Sequence, residues 1–210
     1  MPSNGQPLYV QFGCGFSAPT GWRNFDASPT LRFERLPLIG SLYSRNGNRF
    51  PANVEYGDIV KGLPLAHGSC DAIYASHVLE HLSLEDFQTA LQNTFRLLKP
   101  AGLFRLVVPD LETLARKYVE SADEHASVAF MKETSLGVET RNRGLKGFAR
   151  SWLGNSSHLW MWDFKSLASE LSKMGFVDIR RCNAGDEPIF VAAEDPGRFV
   201  ESIAVQCRKP

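Results

Sequence analysis

Two short segments of this 210-residue chain combine residue types that can bind ligands with a position at the end of a predicted strand. The segment FGCG, residues 12–15, ends an apolar run that begins at Leu8. The segment ASHVLEHL, residues 75–82, follows a second apolar run over residues 71–74 and leads into a predicted helix. Ligands of open α/β sheets bind outside the carboxyl ends of the strands. The two segments therefore predict a ligand site at that edge of a sheet.

Glycine and aspartate follow three predicted strands in an order that suits a nucleoside-containing cofactor. Gly13 and Gly15 lack a Cβ, so the backbone there can pass close to a ligand. Asp26 ends the next apolar run, where a carboxylate can bind both hydroxyls of a ribose. Asp58 follows the third run and could accept a hydrogen bond from an adenine amino group, with the Ile59 amide facing a ring nitrogen. Singly, each is typical of an ordinary turn or a solvated loop acid, whereas the ordered set favours cofactor binding.

Residues 77–81 also spell H-x-x-E-H, the signature of inverted zinc proteases. That chemistry needs His77 and His81 on one helical face, with Glu80 beside the metal. His77 comes directly after a predicted strand, and no obvious third ligand follows in the sequence. We therefore expect no metal site. We expect His77 to contact the cofactor and His81 to be a helix-start histidine that bonds the backbone.

Two residues are candidates for the base that takes a proton from an acceptor. His158 lies in the unusual stretch NSSHLWMWD, residues 155–163, and an unperturbed pKa near 6.5 suits a general base. The alternative is that His158 packs among Trp160 and Trp162. Asp110, at the end of the fifth predicted strand, is the second candidate, or else it caps the following helix.

A basic stretch interleaved with aromatic residues precedes Trp162, with no acid between residues 141 and 162. One interpretation is a lid that binds an anionic acceptor, such as a phosphate-bearing or carboxylate-bearing sugar or lipid. A second is a segment that meets a membrane surface, and a third is the solvated face of a lid helix. The basic residues are Arg141, Arg143, Lys146 and Arg150.

The elements that must position these residues alternate between strands and helices, which predicts a mostly parallel sheet. A helix over 84–99 begins after the capping residue Ser83, and another over 164–174 begins after Asp163. A third helix begins near Asp110. Residues 28–51 replace an ordinary crossover helix, and the link from the first strand to the second is too short for one. Strands are predicted over 8–12, 23–26, 53–56, 72–75, 103–108, 177–182 and 202–207.

Composition favours one domain, residues 1–210, with residues 121–162 as a lid-like insertion. Hydrophobic residues make up 43% of the chain, which is enough for a sizeable core. Lys and Arg total 23 and so do Asp and Glu, so no overall field attracts nucleic acid. The 4 cysteines form no C-x-x-C pair, which argues against structural zinc and for a reducing compartment. Without a signal-peptide pattern or a spanning apolar run, we expect a cytoplasmic protein.

The ordered set of motifs resembles the class I S-adenosylmethionine-dependent methyltransferases of the group often called type 11. The resemblance implies a Rossmann-like, doubly wound sheet of about seven strands with the last one antiparallel. The motif with a third glycine that is common in that family is absent, since Phe16-Ser17-Ala18 follows Gly15. The motifs are FGCG, GWRNFD, GDI, GLPL, ASHVLEHL, RLLKPAG and VPD. The implied contacts to S-adenosylmethionine are Gly13, Cys14, Gly15, Asp26, Asp58, Ile59, Ser76 and His77.

The resemblance implies methyl transfer to a small-molecule, sugar or lipid-linked acceptor. An Asn-Pro-Pro-Tyr type motif, typical of amino-directed enzymes, is missing after the fourth strand, which lowers the expectation of nucleic-acid methylation. One alternative is a protein that binds S-adenosylmethionine or S-adenosylhomocysteine without turnover. Another is a nicotinamide-dependent enzyme, but G-x-G-x-x-G must open a helix, and Pro19 and Gly21 interrupt one here.

Overall fold

The structure is a computed structural model that describes residues 6–36, 49–139 and 157–210. These residues form a seven-stranded sheet with the order β3-β2-β1-β4-β5-β7-β6. Strand β7 runs antiparallel to both of its neighbours, and the other pairs are parallel, which confirms the predicted fold class. The strands are β1 (Tyr9–Phe12), β2 (Trp22–Asp26), β3 (Val54–Tyr56), β4 (Cys70–Ser76), β5 (Leu98–Pro109), β6 (Val177–Arg181) and β7 (Ser202–Arg208).

Side-chain caps fix where the helices of the described residues begin. Ser83 accepts a hydrogen bond from the Asp86 amide at the start of α2, and Asp163 forms a capping box with Ser166 at the start of α5. Within the described ranges, no helix is long and apolar enough to cross a membrane. The helices are α1 (Pro29–Glu34), α2 (Leu84–Leu97), α3 (Leu111–Glu120), α4 (Ala126–Glu133) and α5 (Phe164–Lys173), with 3₁₀ turns at Leu79–His81 and Pro196–Phe199.

The short link between β1 and β2 contains turns and no helix, as its sequence predicts. The buried Asn24 side chain holds the link by donating to the carbonyls of Pro19 and Trp22, 3.1 Å each. After β2 the structure adds the six-residue helix α1, which the sequence interpretation did not foresee. It begins where the Ser28 hydroxyl accepts a hydrogen bond from the Thr30 amide.

Core side chains cover both faces of the sheet because alternate strand residues point to opposite sides. Ile73 of β4 packs in the cluster formed with α2 and α5, and Tyr74 packs in a second cluster with Phe190. Trp162 belongs to the first cluster, with its ring centroid 4.2 Å from that of Phe87. Its burial anchors the segment that follows residue 156 against the sheet.

Arg105 of β5 is fully buried and ties the segment after β6 to the second face of the sheet. Its guanidinium forms ion pairs with Asp186 and Glu194 and lies 4.7 Å from the centre of the Phe190 ring. The Glu194 side chain is only 2% exposed, so removal of the arginine would leave a buried, unpaired charge. Such charges are costly.

We predict that Arg105→Met lowers the free energy of unfolding by about 3–5 kcal/mol, because Glu194 would lose its buried partner. Arg23→Met is the matched control, since Arg23 pairs with Glu55 at the exposed surface, and its loss should stay below about 1 kcal/mol. Urea unfolding followed by circular dichroism measures both. Losses of equal size in the two variants would contradict the assignment.

Candidate functional site

Glycine is required at positions 13 and 15, after β1, for different structural reasons. Both adopt left-handed backbone conformations, with φ of +63° at Gly13 and +55° at Gly15. A Cβ at Gly13 would lie 2.1 Å from Cγ2 of Val78, whereas a Cβ at Gly15 would meet nothing within 4 Å. Gly13 therefore serves the packing of the loop against the residues after β4. Gly15 is the position that presents backbone to open space.

Asp26, the last residue of β2, holds the glycine loop in place. Its Oδ2 accepts a hydrogen bond from the Gly15 amide at 2.9 Å, and its Oδ1 accepts one from the Ser28 amide at 2.7 Å. A carboxylate has about four acceptor sites, so these bonds leave capacity for ligand hydroxyls. The predicted ribose contact is compatible with this position and stays a prediction.

Asp58 and Ile59 lie beyond the end of β3 in a loop that α2 fixes. The Asp58 carboxylate accepts from the Val60 amide at 3.0 Å and pairs with Lys61 at 2.9 Å. Asn93 of α2 donates to the Ile59 carbonyl at 2.8 Å. These contacts hold the loop through protein groups alone, and the adenine contact predicted for it stays a prediction.

Cys14 and Ser76 lie at the carboxyl ends of two neighbouring parallel strands, β1 and β4. Burial, together with the charge of Asp26, raises the pKa of the Cys14 thiol to about 12, so it stays protonated and is no nucleophile. Ser76 ends β4, is 4% exposed, and its carbonyl accepts a hydrogen bond from Arg198. Cofactor contacts of both residues remain predictions.

His77 turns the chain away from β4 with a φ of +54°, a strained conformation for a non-glycine residue. Its Nε2 donates to the Arg198 carbonyl at 2.9 Å, and its Nδ1 lies 3.3 Å from Oε1 of Glu80. Burial opposes the charged form, but the Glu80 carboxylate and the Arg198 carbonyl outweigh it and raise the pKa of His77. Since protein groups engage both ring nitrogens, the predicted cofactor contact would fall to the backbone of His77.

The segment after residue 156 docks onto the turn after β4. The Glu80 carbonyl accepts hydrogen bonds from the amides of Leu159 and Trp160, at 2.8 and 3.1 Å. Trp162 forms a parallel bridge with Asp110 at the end of β5. Because Leu79–His81 is a 3₁₀ turn, His77 and His81 do not share the face of a regular α-helix, as a zinc-protease motif would require.

The docking places His158 beside Glu80 and His81. Nε2 of His158 lies 4.0 Å from Oε1 of Glu80, and the rings of His81 and His158 meet edge to face with centroids 5.0 Å apart. Burial is the main cause that lowers the pKa of His158. His81 does bond the backbone, as predicted, because its Nδ1 donates to the Ser157 carbonyl at 3.1 Å. The sequence interpretation missed this grouping, for which the signal was the H-x-x-E-H spacing.

Asp110 caps α3 with its side chain. Its Oδ1 accepts from the Glu112 amide at 2.9 Å, its Oδ2 accepts from the Thr113 hydroxyl at 3.0 Å, and Arg181 stands 3.7 Å from Oδ2. The capping interpretation is confirmed. A base role for Asp110 stays a prediction and would compete with these bonds.

The basic stretch lies outside the described residues, so the structure does not test its three interpretations. Arg141, Arg143, Lys146 and Arg150 all belong to residues 140–156. Earlier in the predicted lid, α4 packs on α3 through Tyr118 and Phe130, whose ring centroids are 5.4 Å apart.

A family model described as a methyltransferase domain matches residues 10–106. This range runs from β1 into β5 and includes the loop ends after β1, β2, β3 and β4. No curated protein sequence matches the chain.

Solved structures share the fold at low sequence identity. A methyltransferase of Thermotoga maritima, titled a possible histamine N-methyltransferase, has a TM-score of 0.55 at 16% identity, covering 98% of this chain and 84% of that one. An S-adenosylmethionine-dependent methyltransferase of Archaeoglobus fulgidus gives 0.51 at 15% identity, with 98% and 87% covered. The phosphoethanolamine N-methyltransferase 2 of Haemonchus contortus, solved with S-adenosylhomocysteine, gives 0.51 at 12%, with 100% and 50% covered.

We predict that Gly13→Ala destabilises the protein more than Gly15→Ala. Both variants put alanine at positive φ, which costs about 1–2 kcal/mol, and Gly13→Ala adds an overlap with Val78 that costs about 1–3 kcal/mol. Urea unfolding measures the stability of both glycine variants. Wild type, Gly13→Ala, Val78→Ala and the double variant Gly13→Ala/Val78→Ala together form a double-mutant cycle. The double variant should recover part of the loss, and equal losses without coupling would refute the packing role.

Proposed function

Since the chain belongs to the class I S-adenosylmethionine-dependent methyltransferases, we propose that it methylates a small-molecule, sugar or lipid-linked acceptor. The observation that carries the proposal is the place where the strand order reverses. From β1 the chain proceeds to β2 and β3 on one side, and β4 and β5 lie on the other. The glycine loop and the Ser76–His77 corner therefore flank the crevice at which doubly wound sheets bind ligands.

The residues at this crevice suit S-adenosylmethionine. When bound, the cofactor supplies a methyl group made electrophilic by its sulfonium. The backbone at Gly15 leaves room for the methionine portion, and the spare acceptor sites of Asp26 receive the ribose hydroxyls. The carboxylate of Asp58 receives the adenine amino group, and the Ile59 amide faces a ring nitrogen. The chain thus contributes mainly by positioning, which can supply a large part of the rate.

His158 is the proposed base for an oxygen acceptor. Its side chain is 12% exposed, and its lowered pKa keeps the imidazole neutral and able to accept a proton near neutral pH. Asp110 is the weaker candidate because both of its oxygens already hold the start of α3.

The charge of the chain favours a small acceptor over nucleic acid. The formal net charge of zero gives no long-range attraction for a polyanion such as nucleic acid. The basic residues between Arg141 and Arg150 favour a small anionic acceptor, with residues 121–162 as the lid above it. A reducing, cytoplasmic location is part of the proposal, since the four cysteines are free and buried.

We predict that Asp26→Ala weakens binding of S-adenosylhomocysteine tenfold or more, which corresponds to about 1.4 kcal/mol or more. Titration calorimetry measures it. Asp71→Ala is the matched control, because Asp71 also accepts from a backbone amide, that of Leu8, but lies at the opposite end of β4. Asp71→Ala should leave the affinity unchanged.

An analogue without the ribose 2′-hydroxyl separates ribose binding from loop support. It should bind wild type more weakly than S-adenosylhomocysteine does, and Asp26→Ala should discriminate little between the two. No binding of S-adenosylhomocysteine by wild type, or equal losses in Asp26→Ala and Asp71→Ala, would defeat the proposal.

We predict that His158→Gln lowers the rate of methyl transfer by roughly 10²–10⁴-fold, because the acceptor loses the group that takes its proton. Transfer of labelled methyl to a panel of sugars, phenols and phosphate-bearing alcohols measures it. Affinity for S-adenosylhomocysteine should be unchanged. An unaltered rate on an accepted substrate would exclude His158 from catalysis.

A further inference from the structure

Glu80 is a buried carboxylate that the proposed function leaves without a role. Its side chain is 0% exposed, and its Oε2 accepts no hydrogen bond from the described residues. Burial of a charge is costly unless it is paired or coordinates a metal. Two histidines of the described structure approach the carboxylate, with His77 Nδ1 at 3.3 Å and His158 Nε2 at 4.0 Å from Oε1.

The donor atoms around Glu80 have the chemistry of a transition-metal site. One ligand atom each from Glu80, His81 and His158 lie within 4.8 Å of one another. Ligand atoms at about 2.0–2.2 Å from a tetrahedral zinc stand roughly 3.4 Å apart, so side-chain shifts of about an ångström would close the site. Two imidazoles with one carboxylate form a donor set found in catalytic zinc sites.

The surroundings already orient one of these imidazoles as a ligand. Nδ1 of His81 donates to the Ser157 carbonyl, so in the neutral ring Nε2 carries the free lone pair. Metal-bound histidines are commonly fixed in this way, with the other ring nitrogen bonded to a carbonyl or a carboxylate.

We propose that Glu80, His81 and His158 bind one divalent transition-metal ion, with zinc as the representative. Imidazole donors favour such ions over Mg²⁺ or Ca²⁺. His77, held through Nε2 by the Arg198 carbonyl, supports the carboxylate from outside the ligand set. This site replaces the expectation of no metal, because the third ligand comes from a segment far along the chain and not from the H-x-x-E-H motif itself.

The ion would lie beside the cofactor crevice, since Val78, in the same turn, packs on Gly13. Three protein ligands leave a coordination position free for an acceptor oxygen. The acceptor O–H bond then breaks with its proton passing to water, the oxygen bonds to the methyl carbon, and the methyl–sulfur bond breaks with its electron pair left on sulfur. This catalytic consequence rests on the proposed function: with the ion bound, His158 is its ligand, and in the metal-free chain His158 is the base. Metal binding itself does not depend on it.

Calorimetric titration of the metal-stripped full chain with Zn²⁺ tests the site. We expect one ion per chain, with affinity lowered in Glu80→Gln, His81→Gln and His158→Gln by more than the roughly 10–100-fold that loss of a supporting group costs. His125→Gln is the control, since His125 is exposed and pairs only loosely with Glu124, at 3.6 Å. It should bind zinc as wild type does.

Two further measurements keep the result decisive if a variant folds poorly. Co²⁺ bound to wild type should give the intense visible bands of a four- or five-coordinate site, and circular dichroism reports whether each variant is folded. Failure of wild type to bind zinc, a weak octahedral Co²⁺ spectrum, or undiminished affinity in the folded His81→Gln and His158→Gln variants would overturn the proposal. Zinc binding without S-adenosylhomocysteine binding would instead refute the proposed function and leave the metal site intact.

Discussion

The contact between Gly13 and Val78 is the constraint on which the rest of the site depends. It joins the loop after β1 to the turn after β4, the two corners between which the strand order reverses. No side chain fits at Gly13, so the loop lies directly on the turn. The same contact therefore places the crevice proposed for the cofactor beside the turn that carries Glu80 and His81.

A second connection extends this arrangement to the segment that carries His158. The Glu80 carbonyl accepts hydrogen bonds from the amides of Leu159 and Trp160. The buried Trp162 ring packs on Phe87. Backbone hydrogen bonds and an aromatic contact thus hold His158 at the turn. Its own ring is not hydrogen-bonded to Glu80, since Nε2 of His158 lies 4.0 Å from Oε1. A residue positioned by its neighbours' backbone is free to use its side chain for a ligand.

Sequence reasoning succeeded where the signal is local. All seven strands, the Ser83 and Asp163 caps and the helixless link before β2 follow from apolar runs, capping residues and the positions of Pro19 and Gly21. It failed where the cause is distant. Helix α1 lacks an amphipathic stripe long enough to recognise, Gly13 is required by a side chain 65 positions later in the sequence, and His158 reaches Glu80 across 78 positions.

Glu80 shows why the distant contacts matter for chemistry. A hydrophobic residue at a fully buried position generally stabilises a fold as well as or better than a buried ion pair does. A buried carboxylate whose Oε2 accepts no hydrogen bond within the described structure thus costs stability, and it does so next to three histidines and the crevice proposed for the cofactor. Local violations of folding rules are expected at functional sites. The charge of Glu80 is therefore better explained by what it binds than by what it stabilises.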